Sequence, residues 1–292
     1  RLWVPAGEQQ RLNAWMLMAG SLGLVVGTLP AERMAAAWGW RALFMTVGAL
    51  FLQVAVAVAW LSPRQARRAA PAALASGSYA GMARSACMRS IGPLGLFNYA
   101  VLVAVQTLWA GPWLTHVGGL GATEAARRLM FINGIVLAVF LLMGWLLPRV
   151  VASADDGERL LRRWTPLSVG LLFLIAVLGS DAGWPVFAAY CVCAWPLSVT
   201  HPLVAQRFAG AQAGRALAWF NLLLFAGVFF WQWGFGVVVA WLQPVLGVVD
   251  AYRLAMLLLA LLSAIGYLMF MPSAGPRGPR PQARRPSAFS IF

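Results

Sequence analysis

The sequence predicts an all-α integral membrane protein, a polytopic helical bundle of about eight transmembrane helices. Three observations predict it. Hydrophobic residues make up 61% of the 292 residues, with a mean hydropathy of +0.76. Charged residues make up only 10%, against roughly 25% in an ordinary soluble domain. The apolar residues also gather in runs near the ~20 residues that a helix needs to cross a ~30 Å hydrocarbon core, without the alternation of a membrane barrel. Together these exclude a soluble globular domain, a disordered chain and a collagen-like chain.

The runs follow in order along the chain. Leu12–Leu29 stands between Arg11 and Pro30, and Ala42–Leu61 between Arg41 and Ser62-Pro63. Leu94–Leu114 opens after Gly92-Pro93, and Met130–Leu147 lies between Arg128 and Pro148-Arg149. Pro166–Ser180 is short and extends back to Trp164. Pro185–Val204 opens with a proline, which suits the first turn of a helix. Ala216–Leu242 begins after Arg215, and Leu254–Met271 begins after Arg253. The stretch Ser62–Ile91, rich in Ala, Arg, Ser and Gly, reads as a linker. The resulting organisation is two helices of an incomplete N-terminal bundle over 1–62, a basic linker over 63–92, a six-helix bundle over 93–272 and a disordered Arg/Pro-rich tail over 273–292.

Charge orients these runs. All 22 basic residues are Arg, against 8 acids, for a net charge of +14. Without Lys, a Walker-type phosphate loop and a Schiff-base site are excluded. If the N-terminal end is cytoplasmic, 17 of the 22 arginines fall in cytoplasmic segments; only Arg33, Arg41, Arg127, Arg128 and Arg253 fall outside. The positive-inside rule therefore puts both ends of the chain in the cytoplasm. It also accounts for the charge through anionic lipid headgroups, without nucleic acid. Trp38, Trp40, Trp60, Trp113, Trp145, Trp164, Trp184 and Trp241 lie near run ends, where an interfacial belt would place them.

Other chemistries find little support. Cys87 is expected in a loop, and Cys191 and Cys193 in an apolar run; the pair lacks the second cluster that a zinc site needs. Asp155, Asp156 and Glu158 read as a solvated loop countering Arg159 and Arg162 rather than as metal ligands. A membrane-embedded enzyme would need His, Asp or Cys clustered near an interface. No catalytic residue, metal or cofactor is therefore expected.

The chain carries an internal repeat. Arg11-Leu-Asn-Ala14-Trp15 aligns with Arg215-Ala-Leu-Ala218-Trp219, Gly23 falls opposite Gly227, and Trp40-Arg41 matches Tyr252-Arg253. Parallel repeats of six helices are a transporter device, in which two bundles flank a site at the midplane. Continuing the register from Leu94 predicts roughly 110 further residues, about four spans, ahead of Arg1.

These features resemble the major facilitator superfamily of secondary transporters, bacterial type, from Arg11 to about Met271. The carriers are Gly20-Ser-Leu-Gly23, Gly39-Trp-Arg41, the long basic linker, Leu108-Trp-Ala-Gly-Pro-Trp-Leu114 followed by Gly119-Leu-Gly, and Gly144-x-x-x-Pro148-Arg149. The last is similar to the second copy of the family's Gly-x-x-x-Asp-Arg loop signature, with Pro148 in place of Asp. The resemblance implies helices five to twelve of a twelve-helix fold in the bacterial inner membrane. It makes Gly144 and Arg149 loop-signature residues, and it implies a small-molecule substrate moved by alternating access, with or without a coupling proton or ion.

No acid or arginine falls in the middle of a run, so a substrate path must be lined by neutral polar and aromatic groups. At about 100° per residue, Asn98, Gln106, Trp109 and Trp113 fall at about 0°, 80°, 20° and 60°, on one stripe. Asn221 and Gln232 lie within about 20° of each other, and Tyr190, Ser198 and His201 within about 80°. Asn13, Ser21 and Thr28 form a similar group in the first run. Asn133 joins the cavity candidates, the alternative for it and for Asn221 being interhelical hydrogen bonding. His201 could relay a proton. Gly111-Pro112, Trp195-Pro196 and His201-Pro202 are kink or gate candidates, and the Gly23/Gly27 face is expected to let helices approach. The sequence thus points to a secondary transporter of a small solute. A truncated membrane protein that does not transport by itself is the alternative.

Overall fold

The computed structural model describes residues 19–20, 22–61, 79–150, 154–208 and 210–271. These residues are almost entirely helical, and no strand occurs among them. Six helices are long and apolar enough to cross a membrane, which makes the chain an all-α, membrane-embedded bundle. Helix α1 covers Leu29–Leu61, short α2 Tyr79–Ala83, α3 Ala86–Val117, α4 Ala122–Val150, α5 Ala154–Asp181, α6 Trp184–Arg207 and α7 Gly210–Phe270. The tail beyond 271 and part of the first run, residues 12–18 and 21, including Asn13 and Ser21, lie outside the described residues.

Helix α7 has 61 residues, which at about 1.5 Å rise would reach about 90 Å, three times a bilayer core. It does not run straight. Gly247 takes φ 80° and ψ 168°, a region essentially reserved for glycine, and separates two arms that coincide with the last two apolar runs. Gly39 bends α1 in the same way, with φ 80° and ψ 158°.

Helix α3 begins at Ala86, eight residues ahead of the expected Leu94 and inside the stretch read as linker. The Ser85 hydroxyl accepts the Met88 amide at 3.2 Å and caps the start, as a serine at this position does. Met88 and Ile91 then bury their side chains. Cys87, expected in a loop, therefore sits in the first turn of this helix, half-buried. Asp155, Asp156 and Glu158 lie at the start of α5 rather than in a loop, where carboxylates face the positive end of the helix dipole. Asp156 pairs with Arg159, and Glu158 crosses to Arg207 on α6.

The core forms around α3, which lies between the two arms of α7. A Cβ at Gly227 would stand 2.8 Å from the Ala100 Cβ, and one at Gly266 only 2.4 Å from the Phe97 Cβ. Glycine at both crossings lets three backbones approach closely, and dispersion rather than hydrophobicity then holds helices together in lipid. Among the described residues, a Cβ at Gly23, the repeat partner of Gly227, would meet nothing within 4 Å. Tyr99 faces His201 while Trp113 faces Phe187, so α3 and α6 run antiparallel. Helix α5 packs along the second arm of α7, where the Tyr267 hydroxyl donates to the Arg162 carbonyl at 3.1 Å. Helix α1 touches the bundle on α4, through the Thr123 hydroxyl donating to Glu32 at 2.9 Å. None of the most apolar window of α1 is buried.

Trp38, Trp40, Trp60 and Trp241 are exposed, but Trp113 is fully buried in the bundle core. Its position near the end of an apolar run suggested the interface. The aromatic neighbours that enclose it come from other helices.

Candidate functional site

Helix α3 supplies four of the nine cavity candidates, more than any other helix, and its backbone is irregular. Three π-turns cover Leu94–Tyr99, Val105–Trp109 and Trp113–Val117. Pro93 and Pro112 directly precede the first and third; a proline ring crowds the carbonyl four residues back and removes an N–H donor, and a wider turn relieves both. The second contains Thr107, whose hydroxyl donates back to the Val103 carbonyl at 2.6 Å, a bond that bends helices. Each π-turn shifts the register against an ideal α-helix. The single stripe drawn at 100° per residue is therefore divided among several neighbours.

Asn98 turns into the core. It is buried and donates from Nδ2 to the Ser263 carbonyl at 2.9 Å, while the Ser263 hydroxyl donates to the Phe97 carbonyl at 3.0 Å. This is a crosslink between α3 and the second arm of α7, in the manner of interhelical hydrogen bonds in membranes. Trp113 is also buried, with its ring edge-on to Phe187 at 6.0 Å and near Tyr252 at 6.4 Å. Among the described residues its indole N–H has no hydrogen-bond partner.

Gln106 and Trp109 sit differently. Gln106 is half-buried and donates to Asn133 Oδ1 on α4 at 3.0 Å, and Asn133 Nδ2 reaches the Leu24 carbonyl at 3.4 Å. The two candidates thus meet each other and the chain ahead of α1. One residue on, exposed Thr107 accepts from Gln232 Nε2 at 3.1 Å, and the Trp109 indole donates to the Gln232 carbonyl at 3.1 Å. Trp109 stacks on Phe235 with ring centroids 4.3 Å apart, and Gly236 lies under the indole.

Nearer the start of α3, His201 and Asn221 come together. His201 Nε2 lies 2.9 Å from Asn221 Oδ1, and with the carboxamide oxygen facing the ring, Nε2 donates. Tyr99 and Phe220 meet the imidazole edge-on at 5.6 and 5.2 Å. His201 follows a tightened 3-10 stretch, Trp195–Val199, with Pro196 in its first turn. Ser198 lies in that stretch, half-buried. Tyr190 is buried and Thr28 only closes a local turn on the Val25 carbonyl at 2.6 Å.

The arrangement has three levels along α3: Tyr99 with His201 and Asn221; Gln106 and Thr107 with Asn133 and Gln232; and Trp109 and Trp113 with Phe235, Phe187 and Tyr252. They span about 20 Å of helix. All are uncharged amides, hydroxyls and rings, able to exchange hydrogen bonds among themselves or with a polar solute. Thr107, Tyr99, Phe187, Phe235 and Tyr252 are not among the cavity candidates that the sequence offers. Thr107 could have been found as the neighbour of Gln106; the aromatic residues carried no periodic signal. Among the described residues, no three His, Cys, Asp or Glu side chains converge as a metal site requires. The backbones of Gly144 and Arg149 continue α4, and their side-chain surroundings lie outside the described residues.

Comparison of the chain with protein families, characterised proteins and solved structures finds no match.

Proposed function

We propose that this chain handles a small uncharged or weakly polar solute as part of a secondary transporter working by alternating access, of major facilitator type. The observation that carries the reading is the level at Gln106: two amide–polar pairs, Gln106–Asn133 and Gln232–Thr107, join three helices by side chains that are exposed at Thr107, half-buried at Gln106 and Gln232, and buried at Asn133. Polar groups at membrane depth are costly unless they pair or line a watered path. Weak neutral pairs that bridge separate helices can open to a solute and close again. The buried Asn98 crosslink lies behind them and supports the wall. The arginine distribution supports an inner-membrane chain with both ends cytoplasmic, and a coupling proton or ion accompanies the solute where the transport is driven.

The test is accessibility. Single cysteines at Gln106, Thr107 and Gln232, in a background with Cys87, Cys191 and Cys193 replaced by Ala, are labelled with a membrane-impermeant maleimide in right-side-out and inside-out vesicles. Alternating access predicts labelling from both sides at the same positions. Labelling from neither side removes the cavity.

A second reading has its own observation. The apolar window of α1 buries no residue in the bundle. In this reading the chain is a membrane protein that does not transport alone, and another set of helices must complete the wall against α1. Uptake by the purified chain in liposomes would exclude it.

A further inference from the structure

Where α5 ends and α7 bends, a groove of about 380 Å³ opens between the two helices. Val177, Leu246, Leu254 and Leu257 form its walls, and Asp250 and Arg253 stand at its rim. The groove lies where apolar runs end: Val177 stands near the end of the fifth run, and Leu246 directly precedes the bend at Gly247 that separates the last two. Its walls face outward, since Val177 is 64% exposed and Leu254 41%. The volume is at the small end of the ~300–1,000 Å³ of ligand pockets.

The rim is a built arrangement. Arg253 donates from Nε to the Ala176 carbonyl at 3.1 Å and from Nη2 to the Val177 carbonyl at 2.9 Å, capping the last turn of α5. Its Nη1 meets Asp250 at 3.1 Å. Among the described residues, these contacts use three of the five guanidinium N–H groups. The cation is thus fixed in place with donors to spare, and a guanidinium matches phosphate oxygens in pairs. Asp250, three residues before Arg253 and 57% exposed, offers an acceptor for an ammonium. An apolar trough ending in a fixed cation beside a carboxylate matches a molecule with an acyl chain, a phosphate and an amine.

We propose that this groove binds one phosphatidylethanolamine molecule, with an acyl chain along Leu254 and Leu257, the phosphate on Arg253 and the ammonium on Asp250. A choline headgroup has no N–H to give Asp250, and a glycerol headgroup has no positive charge. The assignment requires only that the bundle is membrane-embedded and is independent of the transport reading.

Native mass spectrometry of the full chain, released from detergent with added phosphatidylethanolamine, phosphatidylglycerol or phosphatidylcholine, tests it. The wild type should retain phosphatidylethanolamine at least threefold above the other two. Filling the groove with Val177→Trp, or with Leu254→Trp should the first variant misfold, should cut that retention at least fivefold. Both positions are exposed, so the bundle core stays unchanged. Asp250→Asn leaves both bonds from Arg253 to α5 in place and should abolish the preference for the amine. Retention unchanged in either tryptophan variant overturns the site, and an unchanged preference in Asp250→Asn overturns the headgroup assignment. Millimolar inorganic phosphate that displaces the lipid completely would make this a plain anion site and overturn the proposal as well.

Discussion

Gly39 and Gly247 adopt one backbone conformation, φ 80° with ψ 158° and 168°, and each bends an apolar helix ahead of an aromatic residue followed by an arginine. The sequence repeat pairs Trp40-Arg41 with Tyr252-Arg253, and the bend precedes both. Arg253 caps the end of α5; Arg41 lies over the Trp40 ring at 4.5 Å.

A Cβ at φ 80° and ψ 168° is strained whatever space surrounds it. Gly247→Ala should therefore cost about 1–3 kcal/mol. Gly234→Ala, in the helical part of α7 with nothing within 4 Å of the new Cβ, should be neutral or slightly stabilising. Thermal unfolding in detergent compares the two. Equal melting temperatures would mean that the bend is not fixed by glycine.

Close approach is the second device. Gly266→Ala puts a carbon 2.4 Å from the Phe97 Cβ and 3.1 Å from the Pro93 carbonyl oxygen. Neither neighbour is the flexible end of a side chain, so α3 and α7 must separate. The expected loss is about 1–3 kcal/mol. Denaturant unfolding of Gly266→Ala against the wild type reads it directly; a loss below about 0.5 kcal/mol would show that the helices can slide apart freely.

Asn98 and Gln106 should separate stability from solute handling. Asn98→Ala removes a buried interhelical hydrogen bond and should cost about 0.6–1.7 kcal/mol, the range for such bonds in membrane bundles. It should leave maleimide labelling at position 232 unchanged. Gln106→Ala breaks only a half-buried pair with Asn133. Its melting temperature should stay near the wild type while labelling at position 232 rises. The reverse pattern would place Asn98 in the solute path.

Arg253 holds the end of α5 by charge as well as hydrogen bonds, since the terminal carbonyls carry the negative end of the helix dipole. Arg253→Gln should speed amide exchange in the last turn of α5 and over 179–182. The effect on global stability should be modest, about 1 kcal/mol, because the Arg253 side chain is 40% exposed. Exchange mass spectrometry of peptides covering 172–184 gives the answer, and unchanged protection there would assign the cap no role.

Much of the fold was legible in the chain itself. A run of apolar residues long enough for the bilayer has few other places to go, and composition alone selects helices because unpaired backbone groups cannot remain in lipid. Seven of the eight expected runs coincide with described helices or arms of α7. The boundaries at α3 and α5 were less legible. Ser85 and the acids at 155–158 are polar, and hydropathy reads a polar helix start as loop.

The candidate site was legible as residue types and not as an arrangement. That neutral amides, a histidine and tryptophans occupy the apolar runs follows from the sequence. Which of them meet was decided by tertiary structure. The π-turns of α3, set by Pro93 and Pro112 and by packing between two glycine-faced arms, rotate Asn98 toward Ser263 and Gln106 toward Asn133. Angular arithmetic assumes a uniform helix, and this one is not uniform. The sequence by itself determined the solvent, the element type and the side-chain chemistry, because these depend on local composition. The tertiary structure alone decided partnership, burial and the groove at Arg253, because these depend on where distant helices cross.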